Sequence, residues 1–387
     1  MKIALSLGIA VLTAGFCGCA KLSSNTSSGQ APAQLPDEFL IGVVMPLSGK
    51  YSQGPDDPNL VRFLNGFNLA RDEINSARRG GAQIRFIVED DGGTGEGSAE
   101  AFDKLIHEDR VIAILGPLGS VQAPTALPVA QENEIVAISP SAAAQGLGAI
   151  GNFAFRVNLA VDKLIPEGVR LTHEKLGYQR VVKLATSDDA YCRSADAIFS
   201  EALAARGIQV LATETVKLAD TDYTEQLTRT KDLNPDGVIV SAHPLNLPRV
   251  LVQGREVGIP NEVPFIAPLL TLTEVQAAGA AAEGAITFTA WTSTANTTGN
   301  REFVRDYRKK YNGEPNVFSA LAYTSVHILM NAILRAKSTD SHAIRNTLAG
   351  TKDFDAVLGR FSFDDAGDAV YNPVMLIVRN EEFEVLE

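Results

Sequence analysis

The stretch from Val111 to Ala143, VIAILGPLGSVQAPTALPVAQENEIVAISPSAA, constrains the fold more than any other part of the chain. It opens with a continuous apolar run, Val111 to Leu115, too short for a lone helix and β-branched enough for a buried parallel strand. Gly116-Pro117-Leu118-Gly119-Ser120 breaks the run, and a helix-compatible stretch follows to about Asn133. Ile135-Val136-Ala137-Ile138 is a second strand, ending in Ser139-Pro140-Ser141-Ala142. This is a βαβ unit with a small-residue, hydroxyl-bearing turn after each strand. In open parallel sheets, ligands sit beyond the carboxyl ends of the strands, where such loops meet helix N-termini. Both loops therefore belong to one expected binding edge, and the chemistry on offer is hydrogen bonding rather than bond breaking.

The same alternation runs through the rest of the chain. Phe39 to Val44 is a first strand, ending in Met45-Pro46-Leu47-Ser48-Gly49-Lys50-Tyr51. A helix is predicted from about Asn59 to Ala77, with Leu60, Phe63, Leu64, Phe67, Ala70 and Ile74 on one face. Ile84 to Val88 is strand two, and the next helix carries Phe102, Leu105 and Ile106. Strands alternating with helices in this way imply a parallel sheet with helices on both faces. A second cycle begins near Phe155, with strands at Val181–Ala185, Gln209–Ala212, Gly237–Ser241, Pro264–Ala267 and Gly284–Ala290. Helices are predicted to about Lys175, to Arg206, at 223–231, 246–256, 300–312, 317–337 and 341–349, with last strands near 360–363 and 374–378. A chain of 387 residues exceeds the usual single core. Two doubly wound α/β lobes of similar build fit it better than one large sheet.

The N-terminus reads as processed rather than folded. Met1-Lys2, an apolar run from Ile3 to Ala14 and then Gly15-Phe16-Cys17-Gly18-Cys19-Ala20 follow the order of a secretory signal. A cysteine at the end of such a segment looks like a bacterial lipobox; Cys19, after Gly18, fits better than Cys17 after the bulky Phe16. Residues 1–19 are therefore expected to be a lipoprotein signal peptide and 20–37 a flexible tether, Ser-, Gln- and Ala-rich without periodicity. An ordinary signal cleaved nearby is the alternative. After cleavage only Cys19 and Cys192 remain of three cysteines, so neither a disulfide nor a cysteine-based metal site is expected. The net charge of −12 argues against nucleic acid and against an anionic membrane surface as partners, so the lipid anchor is the expected membrane contact.

Several short words then line up in order: Ile41-Gly42-Val43-Val44-Met45-Pro46-Leu47-Ser48-Gly49, Gly66-Phe67-Asn68-Leu69-Ala70-Arg71-Asp72-Glu73-Ile74-Asn75, Asp90-Asp91, Leu115-Gly116-Pro117 with Ser120, Ile138-Ser139-Pro140-Ser141-Ala142, Asp188-Asp189-Ala190-Tyr191, and Phe303-Val304 with Tyr307. The series resembles type I periplasmic solute-binding proteins, in particular the branch that includes leucine/isoleucine/valine-binding proteins of branched-chain amino acid ABC transporters. No single word is specific; the whole series is. The resemblance implies two lobes connected by three crossings, lobe one at 38–158 plus 289–338 and lobe two at 159–288 plus 339–387. It implies a ligand held in the cleft and lobes that close by hinge motion, which a docking ABC permease senses.

Carried over position by position, the resemblance places Ser120, Ser141 and Ala142 where the family grips a ligand carboxylate, and Tyr191 where an aromatic lines the cleft. Where amino-acid binders have a threonine this chain has Ala143, and where they hold the ammonium with an acid it has Ala267-Pro268-Leu269-Leu270. An aromatic of the second lobe is His243 here, and one of the first loop is Gln53, with Tyr51 close by. Asp162 is kept as a candidate cation partner. Trp291 and Phe318 are candidates to enclose the ligand, packing being the other reading for Trp291. The family implies an amino acid, but a buried ammonium needs a compensating charge, so the missing acid points instead to an amide, a related carboxylate or another small polar solute.

Other signals favour plain readings. Gly93-Thr94-Gly95-Glu96-Gly97 lacks the G-x-G-x-x-G spacing and the downstream acid of a dinucleotide loop. Asp90-Asp91 and Asp188-Asp189 fit capping and loop solvation better than metal ligation. His173-Glu174 lacks a second histidine, and Ser120 also suits a helix N-cap. Neither G-x-S-x-G nor a Cys–His arrangement is present, so an enzyme is not expected, nor any cofactor or metal. The leading expectation is a monomeric, lipid-anchored solute-binding protein in the periplasm or at the cell surface, feeding an ABC importer. A ligand sensor signalling to a receptor partner is the alternative.

Overall fold

Each buried strand of the first sheet sends successive side chains to opposite sides, and helices cover both sides. A computed structural model describes residues 35–386 except 55, 78–80 and 82. Cys19 and the expected signal peptide lie outside the described residues, as does most of the expected tether; Leu35, at its end, already packs on the apolar core. In lobe one the chain runs through β1 (Glu38–Met45), α1 (Pro58–Ala77), β2 (Gln83–Asp90), α2 (Gly95–His107), β3 (Ala113–Leu115), α3 (Ala123–Glu132), β4 (Ala137–Ser139) and β5 (Ala154–Arg156). The five strands are parallel in the order β2-β1-β3-β4-β5, with Ile41 opposite Ala113 and Leu115 opposite Ile138. Phe39, Ile41, Val43, Leu115 and Ile138 join one core; Val44, Ile114 and Ala137 join another with Phe102 and Leu127.

The chain then passes to lobe two through α4 (Val161–Leu176), β6 (Arg180–Thr186), α5 (Ala190–Ala204), β7 (Gln209–Val216), α6 (Thr224–Asp232), β8 (Gly237–Ser241), α7 (Leu247–Glu256), β9 (Phe265–Ile266), α8 (Leu272–Ala278) and β10 (Ile286–Thr289). It returns to lobe one with α9 (Asn300–Tyr311), α10 (Val317–Ala336) and α11 (Ser341–Ala349). A small antiparallel sheet follows, β11 (Phe354–Ala356), β12 (Gly359–Phe363) and β13 (Ala369–Val370), and last come β14 (Val374–Arg379) and β15 (Glu382–Val385). The second sheet is ordered β15-β14-β10-β9-β8-β6-β7, with β14 antiparallel to both of its neighbours and the other strands running one way. Together the two sheets make a mixed α/β molecule of two doubly wound lobes.

Residues 341–371 pack beside the first sheet: Phe363 lies on Phe155, His342 on Phe153, Arg156 is ion-paired to Asp368, and the Tyr371 hydroxyl donates to the Val157 carbonyl. The third passage between sheets therefore comes at 371–373, just before β14 pairs with β10. Helix α10 is long and apolar enough to cross a membrane, yet its apolar residues form the centre of the core between α1 and α11. It sits close to α1 because Gly66 has no side chain; a Cβ there would lie 2.3 Å from the Ser319 carbonyl oxygen. Five short elements, β5, α8, β11, β13 and β15, carry too few residues to show a period, and sequence reasoning missed them.

Candidate ligand-binding site

The carboxyl ends of β1, β3 and β4 in lobe one face those of β6, β8 and β9 in lobe two across a cavity of about 130 Å³. After β3, Gly116 adopts φ +150°, and a Cβ there would lie 2.8 Å from the Val44 carbonyl oxygen, so only glycine turns the chain here. The loop leads into α3, whose N-cap, Gln122, makes no capping bond with its side chain. Among the described residues, the backbone N–H groups of Gly119, Ser120, Val121 and Gln122 donate to no protein acceptor. Such a helix start carries partial positive charge and suits an anion or a carbonyl oxygen.

Three serines fasten this loop to the one after β4. Ser139 donates to the Pro117 carbonyl at 2.6 Å, and Ser141 to the Leu118 carbonyl at 2.7 Å. Ser120 is not the N-cap of α3; its hydroxyl oxygen accepts from the Ala143 and Ala144 N–H groups, both at 3.1 Å. With its lone pairs taken, the Ser120 hydroxyl has only its hydrogen left to give. The fully buried Arg156 holds the second loop from behind, donating to the Ala144 carbonyl at 2.6 Å and through Nε to Asp368 at 2.6 Å.

The floor and walls are apolar. Leu60 and Phe63 come from α1, Phe318 from α10 and Leu118 from the first loop, with the Phe63 and Phe318 rings stacked 4.8 Å apart. From lobe two come Tyr191 in the first turn of α5, His243, Pro244 and Leu245 after β8, and Leu269 after β9. Leu269 holds φ +62°, a left-handed backbone rarely adopted by a branched side chain and here part of the cavity wall. Asp57 and Asp189 are buried beside the cavity and already engaged. Asp57 accepts from the N–H groups of Gln53, Asn59 and Leu60, and Asp189 accepts from Cys192 N–H and the Tyr51 hydroxyl. Among the described residues, no lysine or arginine lines the cavity.

The lobes touch across the cleft. Tyr51 donates to Asp189 at 3.0 Å and packs 5.3 Å from the His243 ring; Asn59 donates to Glu274 on α8 at 3.0 Å, and Gln145 N–H to Ser194 on α5 at 2.9 Å. Burial and the neighbouring Asp189 carboxylate raise the Tyr51 phenol well above its ordinary range. Burial also raises Tyr191, raises Glu274 above the usual glutamate value, and lowers His243. The Leu245 N–H points at His243 Nδ1, 3.3 Å away, so the neutral ring carries its hydrogen on Nε2. Among the described residues the Tyr191 hydroxyl has no partner, and its oxygen is fully shielded from water.

Of the residues singled out from sequence, Tyr51, Ser120, Ser141, Tyr191, His243, Leu269 and Phe318 meet at this cavity. Ala142 and Ala143 lie buried just behind it, Ala143 contributing its N–H to Ser120. Asp162 and Trp291 do not reach it. Asp162 sits half-buried in the first turn of α4, away from the cavity wall. Trp291 is tied into the crossing before α9, donating to Asn300 at 2.7 Å with its ring edge-on to Phe303. Sequence reasoning missed Asp57, Asn59, Gln122, Pro244 and Leu245 as cavity residues, and it read Phe63 as core. Only the Asp-Pro-Asn start of α1 carried a local signal. Asp90 and Asp91 bind loop N–H groups, and Asp189 caps α5.

A family model described as periplasmic binding protein matches residues 38–381. Among solved structures, LivJ from Streptococcus pneumoniae, a branched-chain amino acid transporter substrate-binding protein in complex with isoleucine, is similar at 28% identity. That match covers 90% of this chain and 98% of the other, with a TM-score of 0.83. The leucine-binding protein LivK from Thermotoga maritima shares the fold at 23% identity, with the same coverage and a TM-score of 0.81. A solute-binding protein of an ABC transporter from Rhodopseudomonas palustris BisB5, in complex with 3,4-dihydroxybenzoic acid, shares it at 22% identity. Here 89% of this chain and 94% of the other are covered, with a TM-score of 0.80.

Proposed function

The chain belongs to the periplasmic binding protein family, and on that premise we propose that it is the solute-binding component of an ABC importer, taking a small carboxylate between its lobes. One observation carries this reading. A run of unpartnered backbone N–H groups at the start of α3, with the Ser120 hydroxyl, faces a largely apolar cavity shared by both lobes. The carboxylate sits on that donor set, while Tyr51, Phe318, Leu269 and the second-lobe rings enclose the remainder. Both an isoleucine-bound relative and a dihydroxybenzoate-bound one support a small acid as ligand. The chain catalyses nothing in this reading; it binds, closes and docks as a monomer on a membrane permease.

Export and anchoring belong to the same proposal. The segment ending at Cys19 directs the chain across a membrane, and lipidation of that cysteine holds the body at the periplasmic or outer surface. Mass spectrometry of the N-terminal peptide decides this, an acylated Cys19 being expected and an uncut Met1 refuting it. Lobe one comprises 38–158 with 289–371, and lobe two 159–288 with 374–386.

A thermal-shift screen of the chain against amino acids, amides, short and aromatic carboxylates and sugars tests the binding role. A ligand at 100 times its dissociation constant adds about 2.7 kcal/mol to stability. Stabilisation by at least one carboxylate, lost in Ser120→Ala, is expected. No response to any acid would sink the proposal.

A further inference from the structure

One of the contacts that join the lobes is made by a carboxylate that folding has buried with no cation beside it. We propose that Glu274 couples closure of the lobes to uptake of a proton, the closed form carrying this side chain as the neutral acid. The inference goes beyond the binding role proposed above and concerns how closure is governed.

The geometry starts at the head of α10. Asn316 caps that helix, its Oδ1 accepting from the Ser319 N–H at 3.2 Å, and its amide nitrogen donates to Asn59 Oδ1 at 3.1 Å. With that oxygen engaged, Asn59 turns its own amide nitrogen toward lobe two and donates to Glu274 Oε1 at 3.0 Å. The other oxygen, Oε2, accepts from the Thr271 N–H at 2.9 Å and from the Thr271 hydroxyl. Glu274 is left 3% exposed. Lobe one thus caps a carboxylate that belongs to lobe two.

A carboxylate taken out of water needs an opposing charge. Among the described residues, Glu274 bonds only to Thr271 and Asn59, and no ion pair reaches it. The charged groups of the elements around it are engaged elsewhere or make no bond to it. On α1, Arg62 goes to the Pro58 and Glu314 carbonyls, and Asp57 takes backbone N–H groups. Glu314, before α10, pairs with Arg308. On α7, Arg255 serves the carbonyls of Ile259, Pro260, Val263 and Glu283, while Arg249 and Glu256 make no bond to Glu274; nor do Glu382 and Glu384 on β15. The turn at 279–282 carries no charged side chain. Burial accordingly pushes the Glu274 carboxyl above the usual glutamate range, against the pull of the bonds from Thr271 and Asn59.

The site also has room for the proton. The Thr271 hydroxyl can accept as well as donate, so a proton on Oε2 points at it while Oε1 keeps its bond from Asn59. Neutral Glu274 therefore preserves the clasp. Asn59 lines the binding cavity, and Asn316 and Thr271 line a second cavity of about 330 Å³. Parting the lobes withdraws both asparagines, admits water and returns the carboxyl to its ordinary acidity. The sign follows. Between the ordinary glutamate value and the raised one, the closed form holds a proton that the open form has lost, so acid favours closure there. Above the raised value the closed form bears a buried charge.

Nuclear magnetic resonance of the full chain with isotopically labelled glutamate carboxyls tests this, the Glu274 signal being identified by its loss in Glu274→Gln. Glu274 should titrate at higher pH than the exposed glutamates. In a Tyr51→Phe/Ser194→Ala double variant, which removes the other two clasps, its midpoint should move down toward theirs while small-angle scattering shows a larger radius of gyration. Acid should shrink that radius again, and adding Glu274→Gln should hold it small from about pH 5 to about pH 8. A wild-type midpoint among the exposed glutamates overturns the proposal, as does a raised midpoint that stays put when the radius grows. Compaction by acid that survives Glu274→Gln overturns it as well. So does a radius that stays small in the double variant, since lobes that do not part give a proton nothing to drive. No solute enters these measurements, so their failure leaves the binding role standing, and a blank ligand screen leaves the proton coupling intact.

Discussion

Ser120 shows how one side chain can be structural and functional at once. Its oxygen is the acceptor for two backbone N–H groups of the neighbouring loop, so its hydrogen is left for the cavity. Ser120→Ala should strand both N–H groups and cost about 1–3 kcal/mol in urea unfolding; a loss under 0.5 kcal/mol would mean water replaces the hydroxyl. His243 adds a pH dependence with a definite sign. Burial depresses its folded-state pKa below the ordinary 6.5, so the unfolded chain binds the proton first. Its stabilising contribution is complete above pH 6.5 and is lost as pH falls from there through the depressed value. His243→Asn should flatten that limb of a stability-versus-pH curve, and an unchanged slope would assign it to other groups.

At the scale of elements, the binding edge depends on chain segments distant in sequence. Arg156 at the end of β5 holds the carbonyl oxygens of the 142–144 loop, and Asp368 in the turn between β12 and β13 holds Arg156. Breaking a buried pair leaves a charge without its partner, so Arg156→Met should destabilise by about 3–5 kcal/mol. It should also weaken ligand binding, because the loop that orients Ser120 is freed. Asp368→Asn keeps a hydrogen-bond acceptor but leaves the buried Arg156 charge unopposed, so it should cost a comparable amount; a much smaller loss would show that the pair does not act through charge. The α1–α10 contact is equally specific. Gly66→Ala pushes a Cβ against the Ser319 carbonyl and should cost about 1–3 kcal/mol by overpacking, read as a lowered melting temperature.

For the whole molecule the decisive feature is that the lobes already meet. The Tyr51 hydroxyl on Asp189, the Asn59 amide on Glu274 and the Gln145 N–H on Ser194 join them directly. A ligand that bridges the lobes adds to these clasps, so affinity depends on contacts outside its own surface. Tyr51→Phe deletes a hydrogen bond to a carboxylate, worth about 1.5–3 kcal/mol. It should raise the radius of gyration of the unliganded protein in small-angle scattering and weaken binding roughly tenfold. An unchanged radius with unchanged affinity would show that Tyr51 does not hold the lobes together.

Much of the architecture was legible because it is written as local periodicity. Runs such as Val111–Leu115 and Ile135–Ile138 are apolar without alternation because both faces of their strands are covered, and the helix from Pro58 to Ala77 shows its stripe directly. Turn chemistry fixed the loops too, through Gly116 and the serines at 120, 139 and 141. The exposure of the N–H groups after β3 followed from the βαβ pattern alone. What no local pattern could give was which distant groups meet: His243 against Tyr51 across the cleft, and Phe63 on Phe318 within lobe one, beside a left-handed Leu269. The same limit explains the segment 341–371, which packs on β5 and α10, while Trp291 is claimed by Asn300 and Phe303 only a few turns away. The sequence by itself determined the elements and the turns at their carboxyl ends, since hydrogen bonding and side-chain period act over a few residues. Tertiary structure decided which groups face the cavity, since that depends on contacts between residues a hundred or more positions apart.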